Sequence, residues 1–335
     1  MKQCLSKAVC VMSTLAALLF GVSASCAFAQ QVGEGKQSTT ELGSAPRAGS
    51  IASTMVLGAT VAGNRIVAVG EEGAILLSDD GGKTFRQAKY VPADSTLTSV
   101  TFVDDKDGWA AGHSGVILHT VDGGETWALQ RSDTSVDQPI FGIAFKDKEH
   151  GWAVGLWSLM LKTDNGGKMW QTQKQGNGAS KNKGGINLYS VFFDNKDDVF
   201  ATGEQGAVLK SADDGKTWTI LQTGYNGSLW TGTASPDGTL YVGGLRGHIF
   251  CSGDEGHTWT AVASGGGESS ITQLLATHEG IAGVGLDGTV VFKKTGANEF
   301  GNVHLAGREA LTAIAINAQG QRLLFSKSGV LSTAN

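Results

Sequence analysis

Along residues 97–130 hydrophobic and polar positions arrive in short bursts. Residues 97–103 alternate as a strand does, 108–111 form a compact apolar run, and 116–119 and 126–130 are two further short segments. Such lengths and a period of two predict β-strands. The residues between them carry turn chemistry: Asp104-Asp105 and Lys106-Asp107, then Ser114-Gly115, then Asp122-Gly123-Gly124. Nothing after residue 29 shows the 3.6-residue period of an amphipathic helix. The reading is four short antiparallel strands joined by tight turns.

The same pattern recurs. SDDGGKTF from Ser78, TVDGGETW from Thr120, TDNGGKMW from Thr163, SADDGKTW from Ser211 and SGDEGHTW from Ser252 align without gaps, with Asp80, Asp122, Asn165, Asp213 and Asp254 at the third position. Successive third positions are 42, 43, 48 and 41 residues apart, the period of a four-stranded propeller blade. The phrase resembles the bacterial neuraminidase repeat, or Asp box. Its acid and Ser/Thr hydroxyl can accept backbone N–H groups of their own turn, its glycines tolerate positive φ, and its Trp packs back on the blade. One active site does not need five copies of a turn, and Asn165 keeps the acceptor oxygen while losing carboxylate chemistry. These five residues therefore read as structural.

Counting the weaker units at the ends gives seven blades, with six as the alternative. Blades one to five cover 54–87, 97–130, 140–174, 188–222 and 229–263. A sixth spans 271–305, where the phrase has decayed to KKTGANEF, and 311–334 supplies three strands of a seventh. The missing strand is expected from residues 37–48, closing the ring and removing an open sheet edge. The domain reading is a signal segment at 1–29, an N-terminal segment with the ring-closing strand at 30–53, and an all-β propeller at 54–335.

The signal reading rests on Lys2 and Lys7, a mostly apolar stretch over 9–22, and Ala27-Phe28-Ala29 as a small-x-small cleavage site. The apolar run is short of the roughly 20 residues that span a bilayer, so export to the periplasm or an equivalent lumen is expected. Cleavage after Ala29 would remove Cys4, Cys10 and Cys26, leaving Cys251 alone and excluding an intramolecular disulfide. The formal charge is −5 over 335 residues, and it becomes −7 without Lys2 and Lys7. That balance, with no Lys/Arg run, argues against a nucleic-acid partner. No Cys/His/Asp cluster has metal-ligand spacing and no Gly-rich phosphate loop precedes a helix, so neither metal nor cofactor is expected.

Function is sought on the face away from the repeated phrase, where the turns between second and third strands meet. Six of these inner turns end in Gly at one aligned position, preceded by variable pairs: Glu71-Glu72, His113-Ser114, Glu204-Gln205, Leu245-Arg246, Leu286-Asp287 and Lys327-Ser328. Blade three departs with Leu156-Trp157-Ser158. A constant frame with variable occupants reads as a recognition surface, and Trp157 as its anchor. The candidate residues are Glu71, Glu72, His113, Trp157, Glu204, Arg246 and Asp287, with Lys181 and Lys183 from the basic insertion at 175–185. The competing reading is a sialidase-like exo-glycoside hydrolase. It would need three clustered arginines, and the seven beyond residue 29 (Arg47, Arg65, Arg86, Arg131, Arg246, Arg308, Arg322) place only Arg246 on an inner turn. A carboxylate pair of Glu71 or Glu72 with Glu204 is its remaining form.

DDKDGWAAGHSGVILHTVDGGETW (104–127) and KEHGWAVGLWSLMLKTDNGGKMW (148–170) resemble the photosystem II stability and assembly factor family of exported seven-bladed propellers. The resemblance implies a non-enzymatic, monomeric, protein-binding propeller that holds a membrane protein or complex during assembly, with no small-molecule substrate. In a photosynthetic host this would be photosystem II assembly; elsewhere, an envelope transport complex. The family's arginine-rich patch is not reproduced here.

Overall fold

The computed structural model describes residues 43–46, 53–174, 185–265 and 267–331. The expected signal segment at 1–29, Lys181 and Lys183 lie outside the described residues.

Seven antiparallel sheets form a propeller, at 56–87, 97–131, 140–172, 188–222, 229–262, 271–304 and 311–331. Six sheets have four strands in simple meander order, and the seventh has three among the described residues. The second strand of each blade is enclosed by both neighbours, which explains its unbroken burial in blades two to six: Gly108–Gly112, Gly151–Gly155 and Val199–Gly203 are buried at every position. Outer strands face solvent; Gln171–Thr172 is exposed throughout.

Stability lies between blades rather than within them. Trp109 of blade two is fully buried and stacks on Phe145 of blade three, with ring centroids 3.6 Å apart and planes 7° from parallel. The DGWA segment is thus a dovetail into the next blade. Ring closure follows the same rule: Val56, Ile66 and Leu76 of blade one share a core with Ala313, Leu323 and Phe325 of blade seven. Thr312 Oγ1 donates to Val56 O (2.6 Å) and Asn317 Nδ2 to Gly81 O (3.0 Å) across that seam.

The described part of the expected closing segment, 43–46, is not a strand. Ala45 N donates to Val91 O (3.0 Å) and Gln87 Nε2 to Pro46 O (2.8 Å), so it lies against the end of blade one. The rest of 37–48 lies outside the described residues.

One glycine position is set by close approach rather than by turn geometry. Gly70, Gly112, Gly155, Gly203, Gly244 and Gly285 end the second strands, and a Cβ on each would collide with the carbonyl of Met55, Thr96, Pro139, Asn187, Ser228 or Ser270, where the link enters the blade's first strand.

Candidate functional site

The inner turns share one backbone. In blades one to five they are single 3₁₀ turns, and the middle residue is left-handed at Glu72, Ser114, Trp157, Gln205 and Arg246, with φ between 52° and 59°. Asp287 occupies the same conformation in blade six (φ 59°). Blade three, the departure in sequence, keeps the frame: Ser158 takes the glycine's place at φ 61°. Its hydroxyl donates to Ile186 O (3.0 Å) and accepts Ile186 N (2.8 Å), two bonds that offset the cost of a left-handed non-glycine residue.

The candidate residues separate into two sets. Glu71 and Glu204, the first residues of their turns, are occupied by the fold. Glu71 Oε1 accepts Met55 N (3.0 Å), while Glu204 accepts Asn187 N and Asn187 Nδ2 (both 3.0 Å) and the Tyr189 hydroxyl (3.3 Å). Each carboxylate pins the link entering its own blade. Burial, then the neighbouring Glu204 charge, pushes the Tyr189 phenol up. Glu72, His113, Trp157 and Arg246 are exposed, and Arg246 makes no ion pair among the described residues. Asp287 is also exposed but is bound to Arg308 at 2.6 Å.

The three-arginine clamp is not assembled among the described residues. Arg65 and Arg86 pair with Asp79 and Glu125, and Arg131 is held by Gly115 O (2.6 Å) and Asp133 (3.1 Å).

Sequence reasoning missed the inner wall of the mouth. Every first strand carries a register shift near its start, at Leu57, Thr98, Phe141, Tyr189, Trp230, Thr272 and Thr312. A β-bulge re-aims one side chain and bends its strand. Here it sets a ring of seven half-buried residues around the channel. The threonines bridge blades: Thr98 Oγ1 donates to Ile140 O (2.7 Å), Thr272 Oγ1 to Leu311 O (2.9 Å) and Thr312 Oγ1 to Val56 O (2.6 Å). Blades three, four and five place Phe141, Tyr189 and Trp230 there, with the Phe141 and Tyr189 rings stacked at 5.7 Å. The signal was present as an aligned position after the first strand residue, but only the bulge turns it to the mouth.

The opposite face carries the repeated phrases. In blade two, Asp122 Oδ1 accepts Thr126 N (2.9 Å) and the Thr120 hydroxyl (2.8 Å), and Oδ2 accepts the Thr126 hydroxyl (2.6 Å). Asp80, Asp213 and Asp254 repeat these contacts, and Asn165 Oδ1 accepts Met169 N at 2.9 Å. The Thr258 hydroxyl and amide lead in holding the Asp254 carboxyl at about 2. Where phrases four and five replace Gly by Asp214 and Glu255 at φ 61°, the new acids receive lysines of the preceding blade: Lys146 (3.3 Å) and Lys162 (2.8 Å) on Asp214, Lys196 and Lys210 on Glu255. The channel widens toward this face into a cavity of about 630 Å³.

The family model described as photosynthesis system II assembly factor YCF48 matches residues 61–135, 87–174 and 129–227. No curated protein matches the chain. Among solved structures, "YCF48 bound to D1 peptide" is 17% identical with a TM-score of 0.67, over 88% of this chain and 97% of that one. YCF48 from Cyanidioschyzon merolae is 18% identical at 0.65, over 87% and 97%. A virginiamycin B lyase from Staphylococcus aureus is 13% identical at 0.69, over 84% and 94%. Identities this low show the propeller fold alone.

Proposed function

We propose that this chain, which belongs to the photosynthesis system II assembly factor YCF48 family, is an exported, non-enzymatic propeller that holds a segment of a membrane protein during assembly and binds it on the inner-turn face. In a photosynthetic host the partner is photosystem II; elsewhere it is an envelope transport complex. A related structure carries a D1 peptide, and a peptide segment is the ligand class we assign here.

Trp157 carries the reading. A bulky aromatic at φ 52° costs on the order of 1 kcal/mol in backbone strain, and the residue is 53% exposed, so the fold recovers little by burying it. A large, rigid, amphipathic ring held out on a fixed turn is what interfaces use as an anchor. Seven blades fix the spacing of the tips, so binding orders little of the protein.

The test is site-specific photo-crosslinking in the native host, with the crosslinking residue at Trp157 and, as the control face, at the exposed Met169. Crosslinks from position 157 to a polytopic membrane protein, and none from 169, support the reading. Crosslinks from 169 alone would move the interface to the other face.

A further inference from the structure

Blades three, four and five lack a bond that blades two, six and seven make. At the bulge position, the hydroxyls of Thr98, Thr272 and Thr312 tie each blade to a carbonyl of the next. Phe141, Tyr189 and Trp230 at the same position cannot reproduce that tie, and their rings remain half-buried at the mouth. Blade one, with Leu57 there, also lacks the tie, but only blades three to five set aromatic rings side by side, an arc confined to one side of the ring. Such local departures from a structural rule mark functional sites.

We infer that the arc is a side-chain subsite for an extended acidic peptide, taking a ring-bearing residue, aromatic or proline, flat against Phe141, Tyr189 and Trp230. This rests on the reading that the inner-turn face binds a peptide. Ring faces favour another ring by offset or edge contact. Charge places the flanking residue: the Glu204 carboxylate on Tyr189 repels an acid at that end of the arc, whereas Arg246, on the same blade as Trp230, exposed and without an ion pair among the described residues, would meet one. A sugar is disfavoured because the hydroxyls near the arc are already engaged by the fold. Tyr189 donates to Glu204, the threonines to carbonyls, and lower in the channel Thr231 Oγ1 accepts Leu274 N and Ser99 Oγ accepts Ile143 N.

The experiment is selection of a displayed library of random linear peptides on the wild-type protein, followed by affinity measurements of the winners on three variants. Phe141→Thr/Tyr189→Thr/Trp230→Thr restores the hydroxyl pattern and is expected to keep Tm within about 3 °C of wild type, because each ring lost is replaced by a cross-blade bond. Winners should share one aromatic or proline position beside an acid, and should bind this variant about tenfold or more weakly. Arg246→Glu should weaken acidic winners alone. If the triple variant is much less stable, Trp230→Thr serves in its place.

Winners that bind the triple variant, or Trp230→Thr where it stands in, as well as wild type but lose affinity with Trp157→Ala would overturn the subsite and leave the peptide-binding reading intact. A library that yields no binder overturns both. Retention of glycans with loss on the same variant assigns the arc to carbohydrate and overturns the inference.

Discussion

Replacing Asp122 by Ala and by Asn distinguishes a structural turn from a catalytic carboxylate. The carboxylate accepts three bonds, from Thr126 N (2.9 Å), the Thr120 hydroxyl (2.8 Å) and the Thr126 hydroxyl (2.6 Å). At about 1 kcal/mol net for each, Asp122→Ala loses about 3 kcal/mol, reduced to about 2 because the site is exposed and water takes up the freed donors. For a domain of this size that is a Tm lower by roughly 4–8 °C. Asp122→Asn keeps Oδ1, and its amide can donate to Thr126 Oγ1, so its cost at neutral pH is below about 1 kcal/mol. Blade three already uses the amide, with Met169 N on Asn165 Oδ1.

Acid adds a second readout. Desolvation, the largest single influence on Asp122, pushes its carboxyl up, but the hydroxyl and amide of Thr126 with the Thr120 hydroxyl outweigh it and leave it below its ordinary value of 3.8. A carboxyl lowered by folding contributes stability that is present above its unfolded pKa and lost as pH falls through the folded one. The wild-type advantage over Asp122→Asn should therefore narrow below about pH 4. Thermal unfolding followed by circular dichroism at neutral and acid pH measures both effects. The reasoning is refuted if Asn costs as much as Ala at neutral pH, or if Ala leaves Tm unchanged while abolishing function.

Three further outcomes are expected. Trp109→Ala should cost about 3–5 kcal/mol, read as a large drop in unfolding midpoint, because it empties a fully buried site sandwiched between Phe145 and His119. Burial lowers the His119 pKa against the opposing pull of Asp107. Stability is thus complete above the unfolded value of 6.5 and falls as pH drops below it, and His119→Gln should flatten that slope in pH-dependent urea unfolding. Asp214→Gly relieves a left-handed aspartate but releases Lys146 and leaves Lys162 with Asp164 alone, so its net effect should stay within about 1 kcal/mol. Its stability should respond less than wild type to added salt, and an equal response would deny the ion pairs any role.

The repeating phrase, its period and the turn residues between bursts were enough to count blades and order their strands, because each hairpin is specified by residues a few positions apart. The placement of Trp157 at an inner-turn tip followed from the same local chemistry. What the chain alone did not reveal lies in contacts beyond a single hairpin. Glu71 and Glu204 look like free acids in a variable pair, yet they are bound to the links at Met55 and Asn187. Asp214 and Glu255 look like lapses from glycine, yet they receive lysines brought from the preceding blade. The bulge ring is the clearest case: Thr98, Phe141, Tyr189, Trp230 and Thr272 sit at one aligned position, but one residue of register shift decides that they face the mouth. Local rules reach only neighbouring residues, and these contacts join residues from 16 positions to more than a blade apart, so the closed ring alone determines which side chains the fold uses and which it leaves for a partner.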